Sequence, residues 1–348
     1  MKSTIAVAGA GYIGQAHIEA ALLSPTVELT AIVDPSSKAQ QVANKAGVPL
    51  YVSLEQLLAV SRPEGVVLAT PNQFHLPHTL QCINAGLAVL LEKPITPTVN
   101  EAEKLVSAIK QKGARVLIGH HRAHSPIMAK AKEVVSSGSL GKLVAIMGSA
   151  TFFKPDHYFS DAPWRREKGA GPLLLNMIHE IHNLRMLCGE ISAVQAFSSH
   201  AVRNFAVEDT VAINFRFENG ALGTFMLSDT AASARSWEQT SQENKAYPRY
   251  DDEDCYVLTG THGTLSVPTM RLKAYTNDDD RSWWKPFSQS VVSVVREDPI
   301  KLQMEHFGEV IRGTTQPLVS AQDGLTNLRI TEAIVEAASR GCTINVNH

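Results

Sequence analysis

A glycine loop between a strand and a helix, close to the start of the chain, constrains the fold more than any other feature. In "VAGAGYIG", residues 7–14, Gly9, Gly11 and Gly14 have the spacing G-x-G-x-x-G. The first glycine permits a tight turn, the second lets the backbone approach a pyrophosphate, and the third lets helix and strand pack closely. The helix N-terminus then faces the anion, so the loop, with Tyr12 and Ile13, predicts a dinucleotide-binding βαβ unit. A glycine-rich turn that binds nothing is the alternative.

An acidic residue follows the second predicted strand at the distance that such a loop requires. The strand in "TAIVDP" ends at Asp34, twenty residues past Gly14, where a carboxylate can accept hydrogen bonds from both ribose hydroxyls. Its charge would repel a 2′-phosphate, and Pro35, Ser36 and Ser37 offer no arginine to bind one. NAD is therefore favoured over NADP as the cofactor.

Strand-like and helical patterns alternate from residue 1 to about 120. Segments such as "GVVLAT" and "LAVLLE" are apolar throughout, as strands covered on both faces of a parallel sheet must be. After one helix near 125–137, longer strand-like segments follow, and Asn219-Gly220 in "FENGAL" is a strong hairpin signal. The sequence predicts an α/β chain, with a doubly wound parallel sheet in residues 1–121 and an α+β domain with a large, mostly antiparallel open sheet in residues 122–348.

Two further expectations concern the second half of the chain. The C-terminal helical pattern, which includes "GLTNLRITEAIVEAASRG", is a candidate to pack back on the first domain. The polar segment 232–252 has no clear period, and we expect a long loop there, a candidate for a subunit contact.

The composition argues against several classes of partner. Lysine and arginine total 32 against 34 acidic residues, so the chain lacks the basic excess that nucleic-acid binding favours, and a membrane partner is not expected. Its four cysteines form no C-x-x-C pair, which predicts free thiols in a reducing, cytoplasmic setting. The N-terminal apolar stretch is too short and too broken by glycine for a signal peptide or membrane span.

A lysine stands where the apolar segment "LAVLLE" ends, in "EKP" at residues 92–94. Lysine is seldom fully buried unless it is paired, so Lys93 is either a solvated strand end or a group held for chemistry. Pro94 disfavours helical backbone at Lys93, which helps to fix where the side chain leaves the strand.

These motifs together resemble the Gfo/Idh/MocA oxidoreductases, the glucose-fructose oxidoreductase and inositol dehydrogenase family. The resemblance rests on the glycine loop, Asp34, "ATPNQFH" at 69–75, "EKP", and a glycine-rich approach to a histidine-bearing helix, "GAGPLLLNMIHEIHNL". It implies an N-terminal Rossmann domain and a C-terminal domain whose open sheet forms homodimer or homotetramer contacts. It also implies hydride transfer between nicotinamide and a CH–OH group of a sugar, polyol or cyclitol.

The resemblance makes Lys93 and His179 the predicted catalytic residues. Lys93 matches the family's active-site lysine, and a lowered pKa beside a cationic nicotinamide would suit proton exchange with the alcohol. His179 matches the family histidine, but Leu175 and His182 stand where aspartates are commoner. The loss of the first aspartate leaves Lys93 and His179 to handle the proton. Asn176 lies three residues before His179 and can orient the substrate.

Other site residues are predicted with less direct chemistry. By the resemblance, Thr70, Pro71, Asn72 and His75 line the nicotinamide ribose, Arg122 lies near the nicotinamide, and Trp164 and Arg165 lie on the phosphate side. Glu92 is placed among the cofactor contacts, although it is expected to set local structure rather than transfer a proton. The substrate is predicted to contact Asp156, His157 and Tyr158 in "KPDHYFSDAPW" and His120 and His124 in "GHHRAH".

A metal site is not expected, and two other functions stay open. His179, Glu180 and His182 have the spacing His-Glu-x-His, which differs from the H-E-x-x-H pattern of zinc proteases. An NAD-requiring glycosidase of the same fold is one alternative to the NAD(P)-dependent dehydrogenase. A cofactor-binding regulatory protein without turnover is the other. The substrate and the direction of reaction are not fixed by the sequence.

Overall fold

The computed structural model describes residues 2–346, and its contacts divide the chain into two compact units. The first comprises Met1–His124 and Glu297–Leu328, and the second comprises Ser125–Arg296 and Arg329–His348. The predicted domain boundary between residues 121 and 122 stays a prediction, because a division by contacts does not test which segments fold independently.

The first unit contains a six-stranded sheet in which every neighbouring pair is parallel. Its strands are β1 Ser3–Ala8, β2 Val27–Val33, β3 Leu50–Tyr51, β4 Gly65–Leu68, β5 Ala88–Leu91 and β6 Val116–Ile118. The order is β3-β2-β1-β4-β5-β6. Every residue of β4, β5 and β6 is buried, as their continuous apolar runs predicted, and the predicted Rossmann sheet is confirmed.

Eleven helices are present in the described part of the chain. They are α1 Tyr12–Leu23, α2 Ala39–Ala46, α3 Leu54–Val60, α4 His75–Asn84, α5 Val99–Lys112, α6 Pro126–Ser136, α7 Asp156–Ser160, α8 Ile178–Cys188, α9 Trp237–Thr240, α10 Pro299–Arg312 and α11 Ala321–Arg340. Short 3-10 turns cover Asn72–Phe74, His121–His124, Pro163–Arg166 and Asp278–Asp280.

Helix α10 belongs to the first unit although it lies far along the sequence. Asp298 caps its N-terminus by accepting the N–H of Ile300 at 2.9 Å, and Pro299 occupies the first turn, where its missing N–H costs nothing. A Cβ at Gly308 would lie 2.6 Å from Thr26 Oγ1, so only glycine allows this close approach to the segment before β2. The polypeptide therefore returns to the nucleotide-binding fold after leaving it.

The second unit contains a nine-stranded, mostly antiparallel sheet. Its strands are β7 Leu143–Thr151, β8 Ile191–Ser199, β9 Thr210–Phe217, β10 Leu222–Ser228, β11 Tyr256–Gly260, β12 Gly263–Val267, β13 Arg271–Ala274, β14 Ser288–Val291 and β15 Ile344–Asn345. The order is β14-β13-β12-β11-β7-β10-β9-β8-β15, and only β7 and β10 pair in parallel. The predicted hairpin joins β9 and β10, with Gly220 at φ +88°. The predicted open sheet is confirmed.

One face of this second sheet forms a core, and the other is open. Strands β9 and β10 alternate buried and exposed residues, as a sheet covered on one face requires. The core also includes residues of helices α6 and α8, among them Ile127, Met128, Ile181 and Leu184. The open face carries exposed apolar side chains, which include Met147, Phe197, Leu222 and Met226.

The polar segment 232–252 is not a uniform loop. It contains the short helix α9 and buries two large side chains, Trp237 and Glu243. Glu243 accepts hydrogen bonds from Trp237 Nε1 at 2.9 Å and from the hydroxyl of Ser125, the residue that caps α6. These contacts fix the segment within the second unit, and its role as a subunit contact stays a prediction.

Candidate functional site

The predicted cofactor residues follow the carboxyl ends of the parallel strands of the first unit. Gly9 follows β1, Asp34 follows β2, Thr70 comes two residues after β4, and Lys93 comes two residues after β5. Because all six strands run the same way, these residues share one edge of the sheet, which is where open α/β sheets bind ligands.

The glycine loop has the backbone geometry that the sequence predicted. Gly9 has φ +96°, and a Cβ there or at Gly14 would clash with backbone atoms. A Cβ at Gly11 would meet nothing within 4 Å, so the loop is open where a pyrophosphate would approach. No side chain caps the start of α1, which leaves the first-turn N–H groups, including those of Tyr12 and Ile13, for an anion. The loop fits a dinucleotide.

The carboxylate of Asp34 is held in place by backbone hydrogen bonds. Its Oδ2 accepts the N–H of Ala10 at 2.7 Å, and its Oδ1 accepts the N–H of Ser36 at 2.8 Å. Burial alone would raise the pKa of Asp34, but the hydrogen bonds from Ser36 and Ala10 outweigh it and lower the pKa below the ordinary value. An ionised carboxylate here accepts ribose hydroxyls and repels a 2′-phosphate, so the residues fit NAD.

Lys93 adjoins a buried carboxylate that is hydrogen-bonded to a histidine. Glu92 is 5% exposed, and its Oε1 lies 2.7 Å from Nε2 of the fully buried His17. The other carboxylate oxygen accepts the N–H of Lys93 at 3.1 Å. Burial would raise the pKa of Glu92, but His17 and the positive charge of Lys93 outweigh it and lower that pKa. Glu92 is therefore a buried anion that fixes the backbone carrying Lys93, and its cofactor contact stays a prediction.

His75 connects the segments that follow β4 and β5. It is buried at the start of α4, with Nδ1 2.7 Å from the carbonyl oxygen of Pro94 and Nε2 2.9 Å from that of Thr70. Burial lowers the pKa of His75, and a neutral imidazole has one N–H, which can serve one carbonyl at a time. The structure thus gives His75 a bridging role, while Pro71 and Asn72 are exposed. Cofactor contact by these residues stays a prediction.

The histidine-rich segment after β6 is tied to the C-terminal part of the first unit. The amide nitrogen of Asn327 donates to Nε2 of the buried His120 at 3.1 Å. The ring of His124 lies 5.2 Å from that of His306 in α10, and Arg122 between them is buried. The predicted contacts of His120 and His124 with substrate, and of Arg122 with cofactor, stay predictions.

In the second unit, the structure gathers several predicted residues around Lys154, which the sequence reasoning missed. Lys154 Nζ donates to Asn176 Oδ1 at 2.7 Å and lies 3.8 Å from Asp229 Oδ2. Its side chain is only 11% exposed, and Nζ is 5.0 Å from the centroid of the Tyr158 ring. Asn176 and Tyr158 are therefore neighbours of one largely buried ammonium.

Two arginines complete this cluster. Arg203 Nε donates to Asp229 Oδ1 at 2.9 Å and reaches the exposed Asp156 at 3.7 Å. The guanidinium of Arg165 stacks 3.7 Å above the Tyr158 ring and donates to the Tyr158 carbonyl at 2.6 Å. Burial raises the pKa of Asp229, although Lys154 and Arg203 both act to lower it. The structure leaves Trp164 and His157 exposed at this loop.

The histidine helix begins with a wider turn than the sequence suggested. A π-helical turn, Leu173–Met177, leads directly into α8, and Asn176 lies within it. The N–H of Leu173 donates to Glu208 Oε1 at 2.9 Å. His179 follows in α8 and is 6% exposed. Single π turns inside helices often mark functional sites, which supports the choice of this segment.

A sequence signal for Lys154 exists. It precedes Pro155 three residues after β7, much as Lys93 precedes Pro94 two residues after β5. Arg203, Asp229 and Glu208 carry no comparable pattern, because each is recognised only through its contacts. In residues 2–346 no group of three or more histidine, cysteine or acidic residues could hold a metal. No helix of that range is long and apolar enough to cross a membrane.

Comparison with known proteins agrees with this geometry over most of the chain. Residues 3–120 match the oxidoreductase family with an NAD-binding Rossmann fold, and residues 128–266 match the GFO/IDH/MocA C-terminal domain. The chain belongs to the Gfo/Idh/MocA family. The glycine loop and Asp34 lie within the residues that match the NAD-binding Rossmann model, and the catalytic role of Lys93 stays a prediction.

Individual members of the Gfo/Idh/MocA family are similar along nearly their full length. The rhizopine catabolism protein MocA of Rhizobium meliloti is 25% identical, over 97% of this chain and 95% of the relative. The NAD⁺-dependent scyllo-inositol 2-dehydrogenase of Bacillus subtilis is 24% identical, over 98% and 96%. The crystal structure of the aldose-aldose oxidoreductase from Caulobacter crescentus shares the fold, with a TM-score of 0.80, 23% identity and coverage of 99% and 100%.

Proposed function

We propose that this family member is an NAD-dependent dehydrogenase that acts on a CH–OH group of a sugar, polyol or cyclitol. Relatives that cover nearly the whole chain are named for such chemistry, including a scyllo-inositol dehydrogenase and an aldose-aldose oxidoreductase. The glycine loop and the ionised Asp34 support NAD as the cofactor rather than NADP.

The arrangement around Lys93 carries this proposal. Lys93 follows β5 at the ligand-binding edge of the sheet, and the buried Glu92–His17 pair holds its backbone. His75 bridges the residue after Lys93 to Thr70. A lysine fixed so closely at this edge is better explained by chemistry than by solvation.

The proton and the hydride leave the alcohol separately in this proposal. The glycine loop and Asp34 would hold NAD⁺, which would supply the hydride acceptor for the carbinol carbon. Lys93, as the free amine, takes the hydroxyl proton, and the C–O bond becomes a carbonyl. His179 assists the proton exchange, and Asn176 orients the substrate, with Tyr158 and its loop forming the wall of the substrate site.

A substrate screen tests the proposed function. The purified protein is incubated with NAD⁺ and with polyols, aldoses, cyclitols and sugar acids, and the absorbance of the reduced nicotinamide is followed. Net formation of NADH with at least one free sugar or polyol is expected. An NAD-requiring glycosidase would instead cleave glycosides without net NADH formation, and that result would contradict the proposal.

We also propose that the protein is a homodimer or homotetramer assembled through the open face of the second sheet. Exposed Met147, Phe197, Leu222 and Met226 all lie on strands of this sheet, and contiguous exposed apolar surface favours association. Sedimentation of the parent and of Met226→Lys tests this, because a charge on the face should shift the variant toward monomer while the parent stays associated.

The cysteines support a cytoplasmic location for the protein. All four are free thiols, and Cys82, Cys188 and Cys255 are buried. Burial raises the pKa of Cys82 and of Cys188 to about 12, so neither is a reactive thiolate at neutral pH. Such a set needs no oxidising compartment.

A further inference from the structure

Lys154 fixes the orientation of the Asn176 amide. Lys154 Nζ donates to Asn176 Oδ1 at 2.7 Å. An ammonium has three donors and no acceptor, so the amide oxygen must face it and the NH₂ group must face away. The side of Asn176 that is turned away from Lys154 is therefore a hydrogen-bond donor.

The NH₂ group of Asn176 can serve a ligand. For residues 2–346, the one side-chain hydrogen bond of Asn176 is the bond to Lys154. The residue is half-buried in the π-helical turn before α8, three residues ahead of His179. A second donor thus lies beside the ammonium, on the segment that the proposed function assigns to substrate.

The ammonium itself is partly removed from water. Its Nζ lies 5.0 Å and 5.4 Å from the ring centroids of Tyr158 and Phe152. Asp229 is 3.8 Å away, beyond hydrogen-bond distance, and its Oδ1 is bonded to Arg203 at 2.9 Å. Arg203 is thus the closer counter-ion of Asp229. A cation in such surroundings binds an anion more strongly than it would in water.

Glu208 is the other acid in the neighbourhood of Lys154. Its Oε1 accepts the N–H of Leu173 at 2.9 Å. Burial raises the pKa of Glu208, while the Leu173 hydrogen bond and the charge of Lys154 act in the opposite direction.

We infer that Lys154 and Asn176 bind a carboxylate of the substrate, which makes the substrate a sugar acid such as an aldonate or a uronate. The inference rests on the proposed dehydrogenase function and narrows its substrate class. An ionised carboxylate offers acceptors only, so it matches two donor groups. An aspartate in place of Asn176 would present only acceptors and repel it.

Titration calorimetry of the full chain with NADH tests the inference without turnover. The probes are D-gluconate and D-glucuronate, compared with D-glucose and myo-inositol. The parent should bind at least one of the acids more tightly than either neutral compound. Asn176→Asp should weaken that binding roughly 10-fold to 100-fold, since a hydrogen bond to a charged group becomes a repulsion. Asn100→Asp on the exposed side of α5 adds the same charge elsewhere and should bind like the parent.

Lys154→Met is a second variant, with the same expected loss of acid binding, and thermal unfolding reports whether each variant folds. The inference is wrong if the parent prefers neutral ligands, or if a folded Asn176→Asp or Lys154→Met protein keeps the parent's affinity for acids. If the protein oxidises neutral polyols but not sugar acids, the carboxylate inference is wrong while the proposed dehydrogenase function is still supported. Binding of acids that depends on these residues, without any NADH formation in the substrate screen, would instead support the subsite and contradict the dehydrogenase function.

Discussion

Lys93 and Lys154 occur in similar sequences but in different surroundings. Each precedes a proline shortly after a strand, in "EKP" and in "FKP". Lys93 adjoins the carboxylate of Glu92, which His17 holds at 2.7 Å. Lys154 instead bonds the neutral amide of Asn176, and its nearby acid, Asp229, is bonded to Arg203.

The pKa values of Glu92 and Asp229 shift in opposite directions, although burial acts to raise both. The pKa of Glu92 is lowered, because His17 and Lys93 outweigh the effect of burial. The pKa of Asp229 is raised, because burial outweighs Lys154 and Arg203. The comparison teaches that similar lysine–proline sequences lie in different surroundings. These surroundings support the different roles proposed for them, proton exchange for Lys93 and substrate binding for Lys154.

The largest expected effect separates the two lysines directly. Lys93→Met should lower kcat by about 10²-fold to 10⁴-fold, because general acid–base catalysis of this size is lost while side-chain length is kept. Lys154→Met should mainly raise KM. Steady-state kinetics on both variants, with NAD affinity and unfolding temperature as controls, measures this. Similar kcat losses in the two variants would abolish the distinction.

Substitution of His17 removes the hydrogen bond that holds Glu92, the residue whose carboxylate accepts the N–H of Lys93. His17→Ala leaves the Glu92 carboxylate buried without its hydrogen-bond partner, and leaving a buried group unsatisfied typically costs about 1–3 kcal/mol or more when it is charged. Urea unfolding measures the free energy of unfolding, and His200→Ala on the surface should change it by less than about 0.5 kcal/mol. Equal stabilities for the two variants would refute a structural role for the pair.

The second unit contains His179, the other residue proposed to handle the proton. His179→Ala should lower kcat by roughly 10²-fold, the lower range for acid–base assistance, and leave NAD affinity nearly unchanged. Kinetics and cofactor titration are measured on the same preparation. Turnover close to that of the parent with every accepted substrate would make His179 a packing residue, and the second region would then bind without catalysing.

Asp34 in the first unit has a lowered pKa, as Glu92 does, and the preference for NAD over NADP tests its role. Asp34→Ala combined with Ser36→Arg should shift preference from NAD toward NADP by roughly tenfold, since a repelling charge is removed and a phosphate partner is added. Titration of both cofactors into parent and variant measures the ratio of affinities. Tighter binding of NADP than NAD by the parent would overturn the role given to Asp34.

The smallest expected effect concerns how pH changes stability in the two regions. The pKa of Glu92 is lower when folded, so its stabilisation is complete above about pH 4.5 and is lost as pH falls through the folded pKa. Asp229 has the opposite sign, since its raised pKa makes its contribution decline as pH rises above about 3.8. Glu92→Gln should therefore reduce the loss of folding stability at acidic pH. Asp229→Asn should reduce the decline in folding stability as the pH rises toward neutral.

Urea unfolding of the parent and both variants between about pH 3 and pH 7 measures these slopes. The expected result is the sign of the change in slope that each variant shows relative to the parent. If Glu92→Gln and Asp229→Asn changed the pH dependence of the free energy of unfolding in the same direction, relative to the parent, the contrast between Glu92 and Asp229 would be contradicted.

The fold and the cofactor edge could be predicted because their signals are local. Fully apolar runs predicted β4 and β5, and the spacing from Gly14 found Asp34. The two-residue strands β3 and β15 were missed, since a strand so short has no periodicity to detect.

Contacts between distant residues could not be predicted from spacing. His17 and Glu92 are 75 residues apart, and Lys154 and Asn176 are 22 apart, so no helical or strand period relates them. The link from His75 to the Pro94 carbonyl involves backbone, which sequence identity does not reveal. These contacts depend on which strand ends the sheet brings together.

The pH dependence of kcat/KM in the parent and in Lys93→Met tests the central claim most directly. The substrate is the best one found in the screen, and NAD⁺ is kept saturating at each pH. If Lys93 takes the hydroxyl proton, the parent shows an ionisation with activity rising as the amine loses its proton, and Lys93→Met lacks that ionisation. The same ionisation in both proteins would show that another group takes the proton and that Lys93 serves only the structure.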